Sequence, residues 1–201
     1  MEKTIAVYGH SGHGKVVAQI AESLGYDTIL WIDDDPEKNA MGWDEFLREF
    51  PGVEVALGIG DNVLRRRIFE KVKAEGATLA TLVDPTAAVA RSVALGEGSV
   101  VMPQAVVNTD ASVGRGCIIN SASVIEHDCR LGDFVHVSPQ AALAGNVRIK
   151  DRVHVGLGAC VIQGLEIDED AVVAAGAVVI ENVEARTMVA GVPARKKREG
   201  I

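Results

Sequence analysis

Cysteine is scarce, with three in 201 residues, and no two of them form a Cys-x-x-Cys pair. An odd, unclustered set excludes a disulfide framework and suits a reduced, cytosolic chain. Positive charge is also short: 20 Lys and Arg face 28 Asp and Glu, a formal net charge of −8. That balance excludes a general nucleic-acid binder. Long apolar runs are missing too. The longest, Val172 to Ile180, is far too short to cross a bilayer, so membrane attachment would need a partner. The opening Thr4-Ile5-Ala6-Val7-Tyr8-Gly9 reads as a strand and not as a signal peptide. What remains, 48% hydrophobic and 24% charged, supplies a core for one or two globular domains.

The middle of the chain has a strict period. From Val83 to Val179 every sixth residue is Val, Ile or Leu, seventeen in succession. A second column, four residues after each of these, is mostly small: Ser99, Ala105, Ala111, Cys117, Ser123, Cys129 and Ala141 are examples. Neither a helical period nor strand alternation gives this pattern; it is a hexapeptide repeat. Each unit predicts a short strand and a corner, with the aliphatic pointing to an axis and the small residue fitting the bend. Three units close one turn of a triangular coil, so residues 18 apart stack about 4.8 Å from one another. The span holds about five and a half such turns, without an interrupting loop.

The preceding residues alternate strand and helix: strands over 4–9, 28–32, 53–59 and 78–82, helices over 15–24, 43–50 and 62–75. This predicts a small Rossmann-like parallel sheet with ligands at the carboxyl ends of its strands. Three loops meet there: Gly9 to Gly14, Asp33 to Pro36, and Gly60 to Asn62. The first opens a helix, where glycine lets backbone amides approach an anion. Asp33 follows about twenty residues later, where an acid holds a ribose hydroxyl. A dinucleotide site and a plain tight turn both remain open, because Ser11 stands where the second glycine of that fingerprint belongs. The expected organisation is 1–82 as the Rossmann-like domain, 83–184 as the β-helix and 185–201 as a tail. The abrupt junction at Val83-Asp84-Pro85 predicts that the first two pack together.

His127 follows the inward Ile125 by two residues, so it should lie outside, near a corner. Gly145 follows it by 18, which stacks a bare peptide N–H beside the imidazole. A base next to an oxyanion donor is what acyl transfer requires. Asp128 or Glu126 would hold the imidazole tautomer. A surface histidine without a role is the competing reading. His136 and His154 are also 18 apart and should stack; the chain lacks the histidine pair five residues apart that would make it resemble the zinc carbonic anhydrases built on this type of coil, so no metal is expected. Cys117 and Cys129 point inward and are unsuited to nucleophilic work. The basic run Arg195-Lys196-Lys197-Arg198 is either a solvated tail or an anion site.

The segments Tyr8-Gly9-His10-Ser11-Gly12-His13-Gly14, Ile32-Asp33-Asp34, Gly58-Ile59-Gly60-Asp61-Asn62, Ser123-Val124-Ile125-Glu126-His127-Asp128, His136-Val137-Ser138, Ala144-Gly145-Asn146-Val147 and Gly191-Val192-Pro193-Ala194 together resemble one known family. It is that of the bacterial sugar acetyltransferases with an N-terminal nucleotide-sugar domain and a β-helix. The likeness is to the UDP-4-amino-sugar N-acetyltransferases (PglD-like) of bacillosamine synthesis, with the sialic acid O-acetyltransferases (NeuD-like) as near relatives. The resemblance implies a left-handed coil, a cytoplasmic homotrimer, and acetyl-CoA in the groove between neighbouring coils. It implies His127 as general base, oriented by Asp128, which replaces the family's usual glutamate. It places acetyl-CoA against His136, Gly145, Leu157, Ala175, Pro193, Arg195 and Lys196. It places the nucleotide sugar on Gly12, His13, Gly14, Asp33, Asp34 and Asn62. His10 departs from the family's usual alanine. Four alternatives remain: O-acetylation of sialic acid or a related sugar, a GDP- or TDP-linked acceptor, a non-catalytic nucleotide-sugar scaffold, and an NAD-binding regulator.

Overall fold

The structure is a computed structural model that describes residues 2–200. The first unit is a three-stranded parallel sheet in the order β2-β1-β3, with β1 Thr4–Tyr8, β2 Thr28–Ile32 and β3 Val55–Leu57. Three helices flank it: α1 Gly12–Ser23, α2 Trp43–Glu49 and α3 Asn62–Ala74. Both longer helices are capped as their sequences require. Ser11 Oγ accepts from the Gly14 N–H at α1, and Asp61 Oδ1 accepts from the Leu64 N–H at 2.7 Å at α3. No described helix is long and apolar enough to cross a membrane.

The fourth strand expected over 78–82 does not join that sheet. Leu79 makes only an isolated bridge to Val55, and Leu82–Val83 is already the first rung of the coil. Two register demands meet here, and the hexapeptide repeat wins. Leu82 hydrogen-bonds through its N–H to Ser99 O, one coil along, at 3.1 Å.

From that rung the chain winds a left-handed parallel β-helix with three faces. The first stacks Leu82–Val83, Val100–Val101, Ile118–Ile119, His136–Val137, His154–Val155 and Val172–Val173. The second stacks Ala88–Val89, Val106–Val107, Val124–Ile125, Ala142–Leu143, Cys160–Val161 and Val178–Val179. The third stacks Ala94–Leu95, Ser112–Val113, Arg130–Leu131, Arg148–Ile149 and Glu166–Ile167. Every pairing is in register with a residue 18 away, such as Ile119↔Val137. The second residue of each strand fills the interior, and the small column beside it is equally buried. Its polar members are satisfied: Ser99 Oγ donates to Gly114 O at 2.8 Å and Cys129 Sγ to Ala144 O at 3.2 Å. Burial pushes the Cys117 thiol up to about 12, which removes it as a nucleophile. Corners turn through a left-handed residue every sixth position, including Gln104, Asp110, Asp128, Asn146 and Arg152, with φ between 56 and 63°. Asp and Asn tolerate that conformation better than most side chains.

The segment expected as a tail is ordered. Thr187–Ala190 adds a parallel strand to the first face, and Arg195–Glu199 pairs antiparallel with it. Val183, Val189 and Ala194 close the end of the apolar interior.

The two units form one packed body. Val17 and Ile20 of α1 meet Leu82, Val100 and Ile118 on the outside of the first face. A second cluster joins Phe69 of α3 to Phe134 of the coil, edge to face with centroids 5.2 Å apart. Between the clusters lies Arg65, 1% exposed. It donates to Gly116 O (2.6 Å) and Phe134 O (2.9 Å) of the coil, and to Ile59 O (3.1 Å), Gly60 O (2.9 Å) and Asn62 Oδ1 (2.8 Å) of its own domain. No carboxylate is among these partners, so burial draws the guanidinium down to about 10.

Candidate active site

His127 sits at the corner between the second and third faces, with its side chain 57% exposed. Its Nδ1 is 2.8 Å from Asp128 Oδ2, which fixes the ring through one nitrogen and leaves Nε2 free to accept a proton. That hydrogen bond, with the Asp128 charge behind it, holds the imidazole above the usual histidine range. Asp128 can reach back because it occupies the left-handed corner position, φ 63°. Glu126 instead accepts a hydrogen bond from Asn108 at 2.9 Å. Of the two candidate orienting acids, the structure brings only Asp128 to the ring.

Gly145 lies one coil further on. A methyl group at its Cα would come within 2.6 Å of His127 Cε1 and 2.7 Å of Nε2. The imidazole therefore covers this residue as closely as any side chain could. Corner residues in this register have N–H groups that point away from the rungs. At Arg115 and Asp133 they are taken by the carboxylates of Asp133 and Asp151, each at 2.8 Å, and at Ser121 by Asn120 Oδ1. The Gly145 N–H, like those of His127, Leu157 and Gln163 in the same register, has no such acceptor among the described residues, although its C=O accepts from Gly164 and the next N–H bonds His127 O; what sets Gly145 apart is the imidazole that lies against it. A free donor thus stands beside a free base.

The other predicted residues lie elsewhere on the chain. His136 is on the first face, stacked on His154 with centroids 4.8 Å apart and planes 9° apart. The Asn120 amide donates to His136 Nε2 at 3.0 Å, and Ser138 Oγ is 2.8 Å from His154 Nε2. His13, at the start of α1, comes within 6.4 Å of His136, centroid to centroid, and its Nε2 is buried without a protein partner. Burial, the neighbouring imidazole and Arg65 drive His136 down to about 3; burial and Arg65 drive His13 down to about 4. All are neutral at physiological pH. His136 and His154 line a cleft of about 450 Å³ between the two units, with Gly60, Asn62, Arg152 and Asp170.

A second cleft, of about 300 Å³, opens at the carboxyl edge of the sheet between Tyr8, Ser11, Asp33, Asp34, Lys38 and Asp61. Asp33 accepts from the His10 N–H at 2.8 Å, caps its own loop and lies 3.3 Å from Lys38. Asp34 accepts from Tyr8 Oη at 2.7 Å, and Lys71 donates to the same tyrosine oxygen at 2.8 Å. Gly12 is open and exposed, whereas Gly14 is buried. A Cβ on Gly14 would meet Gly9 O at 1.9 Å, so packing against the sheet explains that glycine. Asn62 borders the first cleft, but its amide nitrogen is held by the carbonyls of Arg152 (2.9 Å) and Val153 (3.2 Å).

Leu157, 54% exposed, and Ala175 stack at the corner between the first and second faces. Pro193 is exposed beside the terminal hairpin. Arg195 and Lys196 are exposed but already face carboxylates, Glu181 at 3.6 Å and Glu184 at 2.9 Å. Sequence reasoning missed Arg65, Lys38 and the Tyr8–Asp34–Lys71 network. Arg65 had a signal: it shares the apolar stripe of Ile68, Phe69 and Val72 on α3, where a charge is out of place.

Within one chain, then, the imidazole and the two clefts lie apart. His127 is on the corner opposite the first face, and both clefts belong to the domain packed on that face.

Residues 4–72 match the family described as PglD N-terminal domain. The acetyltransferase domain of PglB from Neisseria gonorrhoeae is 36% identical, over 97% of this chain and 100% of that one, with a TM-score of 0.91. PerB from Caulobacter crescentus, crystallised with CoA and GDP-perosamine, is 36% identical over 98% and 99% of the two chains, with a TM-score of 0.93. A UDP-N-acetylbacillosamine N-acetyltransferase from Bacillus subtilis is 35% identical over 111 residues, about half the length of each protein. Identity of this degree over nearly the whole length of two solved structures places the chain: it is an acyltransferase and belongs to the PglD-like sugar N-acetyltransferases.

Proposed function

We propose that this protein transfers the acetyl group of acetyl-CoA to the 4-amino group of a UDP-linked amino sugar, working as a homotrimer. The observation that carries the chemistry is the pairing of His127 with the unoccupied Gly145 N–H. His127 Nε2 takes a proton from the amine as its nitrogen attacks the thioester carbon. The Gly145 N–H receives the charge that develops on the carbonyl oxygen. The carbon–sulfur bond then breaks, and CoA leaves as the thiol after gaining the proton. Asp128 keeps the imidazole in the tautomer that makes Nε2 the base. No acyl-enzyme is required.

Two features of the chain support the trimer. The outer residues of the second face are apolar or small: Ala88, Val106, Val124, Ala142, Cys160 and Val178. Ile162 and Ile180 beside them are 38% and 39% exposed. Such a strip requires a partner. If three copies turn this face to a common axis, the His127 corner of one copy meets the Leu157–Ala175 corner of the next, and the separated site is completed. Acetyl-CoA would run between these corners. The likeness to PerB favours a GDP-linked amino sugar as the second reading of the acceptor.

The test is thiol release from acetyl-CoA with UDP-, GDP- and TDP-linked 4-amino sugars, and with sialic acid for comparison. Fastest release with a UDP-amino sugar supports the proposal; release only with sialic acid, or with no sugar, rejects it. Mixed trimers of His127→Ala and His13→Ala subunits should regain activity that neither variant has alone. Failure to regain it would reject the shared site.

A further inference from the structure

Arg130 and Arg148 occupy the outside of the third face, on adjacent strands and in direct register. Both are exposed. Like charges opposite one another destabilise a strand pair unless something lies between them. On this chain a counter-charge is easy to find, since the net charge is −8. Elsewhere on the coil it is used: Arg115 has Asp133 at 2.8 Å, and Arg152 has Asp170 at 2.7 Å. Neither Arg130 nor Arg148 has a carboxylate within 4.0 Å among the described residues. The one acid in register with Arg148 is Glu166, and Lys150 holds it, at 3.3 Å. The two guanidiniums flank an open groove of about 450 Å³ with Gly132, Lys150 and Asp151. Two adjacent forked donors without an internal acceptor match a phosphate or diphosphate.

Their place relative to the site is also fixed. Arg130 is three residues past His127, and Arg148 three residues past Gly145. Each therefore lies within about 10 Å, along its own rung, of one half of the acyl-transfer pair. In the trimer, the third face of one copy borders the nucleotide-sugar domain of the next. The geometry points to Arg130 and Arg148 as a clamp for the diphosphate of the nucleotide sugar held by the neighbouring subunit. This rests on the trimeric reading above and names the anion that crosses the interface. One sugar ring separates the reacting amine from that diphosphate. The whole pantetheine arm separates the thioester from the phosphates of CoA, so the sugar nucleotide supplies the nearer anion.

The test compares the full-length protein with Arg130→Gln, Arg148→Gln and the double variant, after thermal melts confirm folding. KM is measured for the nucleotide sugar with acetyl-CoA and with acetyl-pantetheine, which has no phosphates. The expected result for the double variant is a KM for the nucleotide sugar raised roughly ten- to a hundredfold, with kcat and the KM for acetyl-CoA near wild type. A rise confined to acetyl-CoA and absent with acetyl-pantetheine would overturn the assignment to the sugar and give the phosphates to CoA. Unchanged KM values for both substrates would overturn the clamp. If the wild type acetylates no nucleotide sugar, the proposed function fails on its own. The clamp is then judged by calorimetry with inorganic pyrophosphate, where equal binding by wild type and double variant rejects it.

Discussion

Gly145→Ala isolates catalysis from folding. The added methyl would lie 2.6 Å from His127 Cε1 and 2.7 Å from Nε2, against an ordinary carbon contact of about 3.5 Å or more. The three nearest atoms all belong to the imidazole, which is exposed and held by the single hydrogen bond to Asp128, so it can yield to the methyl. The ring must retreat by about 1 Å, which removes the base from its station beside the oxyanion donor. A displacement of that size costs roughly 10²-fold in rate, or about 2.7 kcal/mol of transition-state stabilisation. Stability should not fall. Gly145 does not adopt a left-handed φ, and replacing glycine at a compatible position stabilises by about 0.4–1 kcal/mol through the unfolded chain. Gly114→Ala is the control, because its methyl would strike the Gly132 backbone at 2.5 Å and should destabilise. Steady-state kinetics and a thermal melt on both variants decide the matter. A Gly145→Ala enzyme with kcat within threefold of wild type would refute the catalytic role of the stacked pair. So would a loss of kcat matched by a loss of Tm.

Three further expectations follow from the same geometry. Arg65→Met removes the donors to four backbone carbonyls, two of them on the coil and two in its own domain; after allowing for relief of the buried charge, the loss is about 3 kcal/mol. At roughly 2–4 °C per kcal/mol, Tm should drop by about 6–12 °C, and a drop under 2 °C would contradict the assigned role. Asp128→Asn keeps the shape of the orienting residue but removes the charge that raises His127. The imidazole must be neutral to act, so the acid limb of the kcat–pH profile should move to lower pH in the variant; an unmoved limb disproves the coupling. His13 and His136 titrate at about 4 and about 3 in the fold, below the unfolded histidine near 6.5. The unfolded chain binds more protons between those values. Stability is therefore full above about pH 6.5 and falls as the pH drops toward 4, and a urea midpoint that holds constant across that window contradicts the burial of these rings.

The coil was legible because its signal is covalent in spacing: a fixed six positions every strand, and 18 positions every neighbour. That arithmetic alone brought Gly145 to His127 and His136 to His154. The helices of the first unit were legible from Ser11, Asp61 and their apolar stripes. Residues 78–82 were misread because an apolar run fits a sheet strand and a first rung equally well, and only the neighbours choose. The strand in the last residues was not legible, because the run Arg195 to Arg198 reads equally as a solvated tail or an anion site and its pairing with Thr187–Ala190 leaves no mark in the basic side chains. Asn62 and Arg65 could not be read from sequence as interdomain contacts, since their partners are backbone carbonyls as distant as residues 134 and 152, which have no side-chain signature. The free N–H of Gly145 was also invisible, because a backbone donor leaves no side-chain signature in the sequence.

The uninterrupted six-residue register makes the coil a ruler with fixed graduations. Three coils separate His127 from Glu181 along one corner, about 14 Å at the spacing of parallel strands. That length can change only by whole coils, because a deletion of any other size would turn every later outward residue into the wrong face. The distance from the reacting corner to the terminal basic hairpin is thus quantised. A variant lacking one complete 18-residue coil between them would remain a sound prism yet present its hairpin one graduation too near.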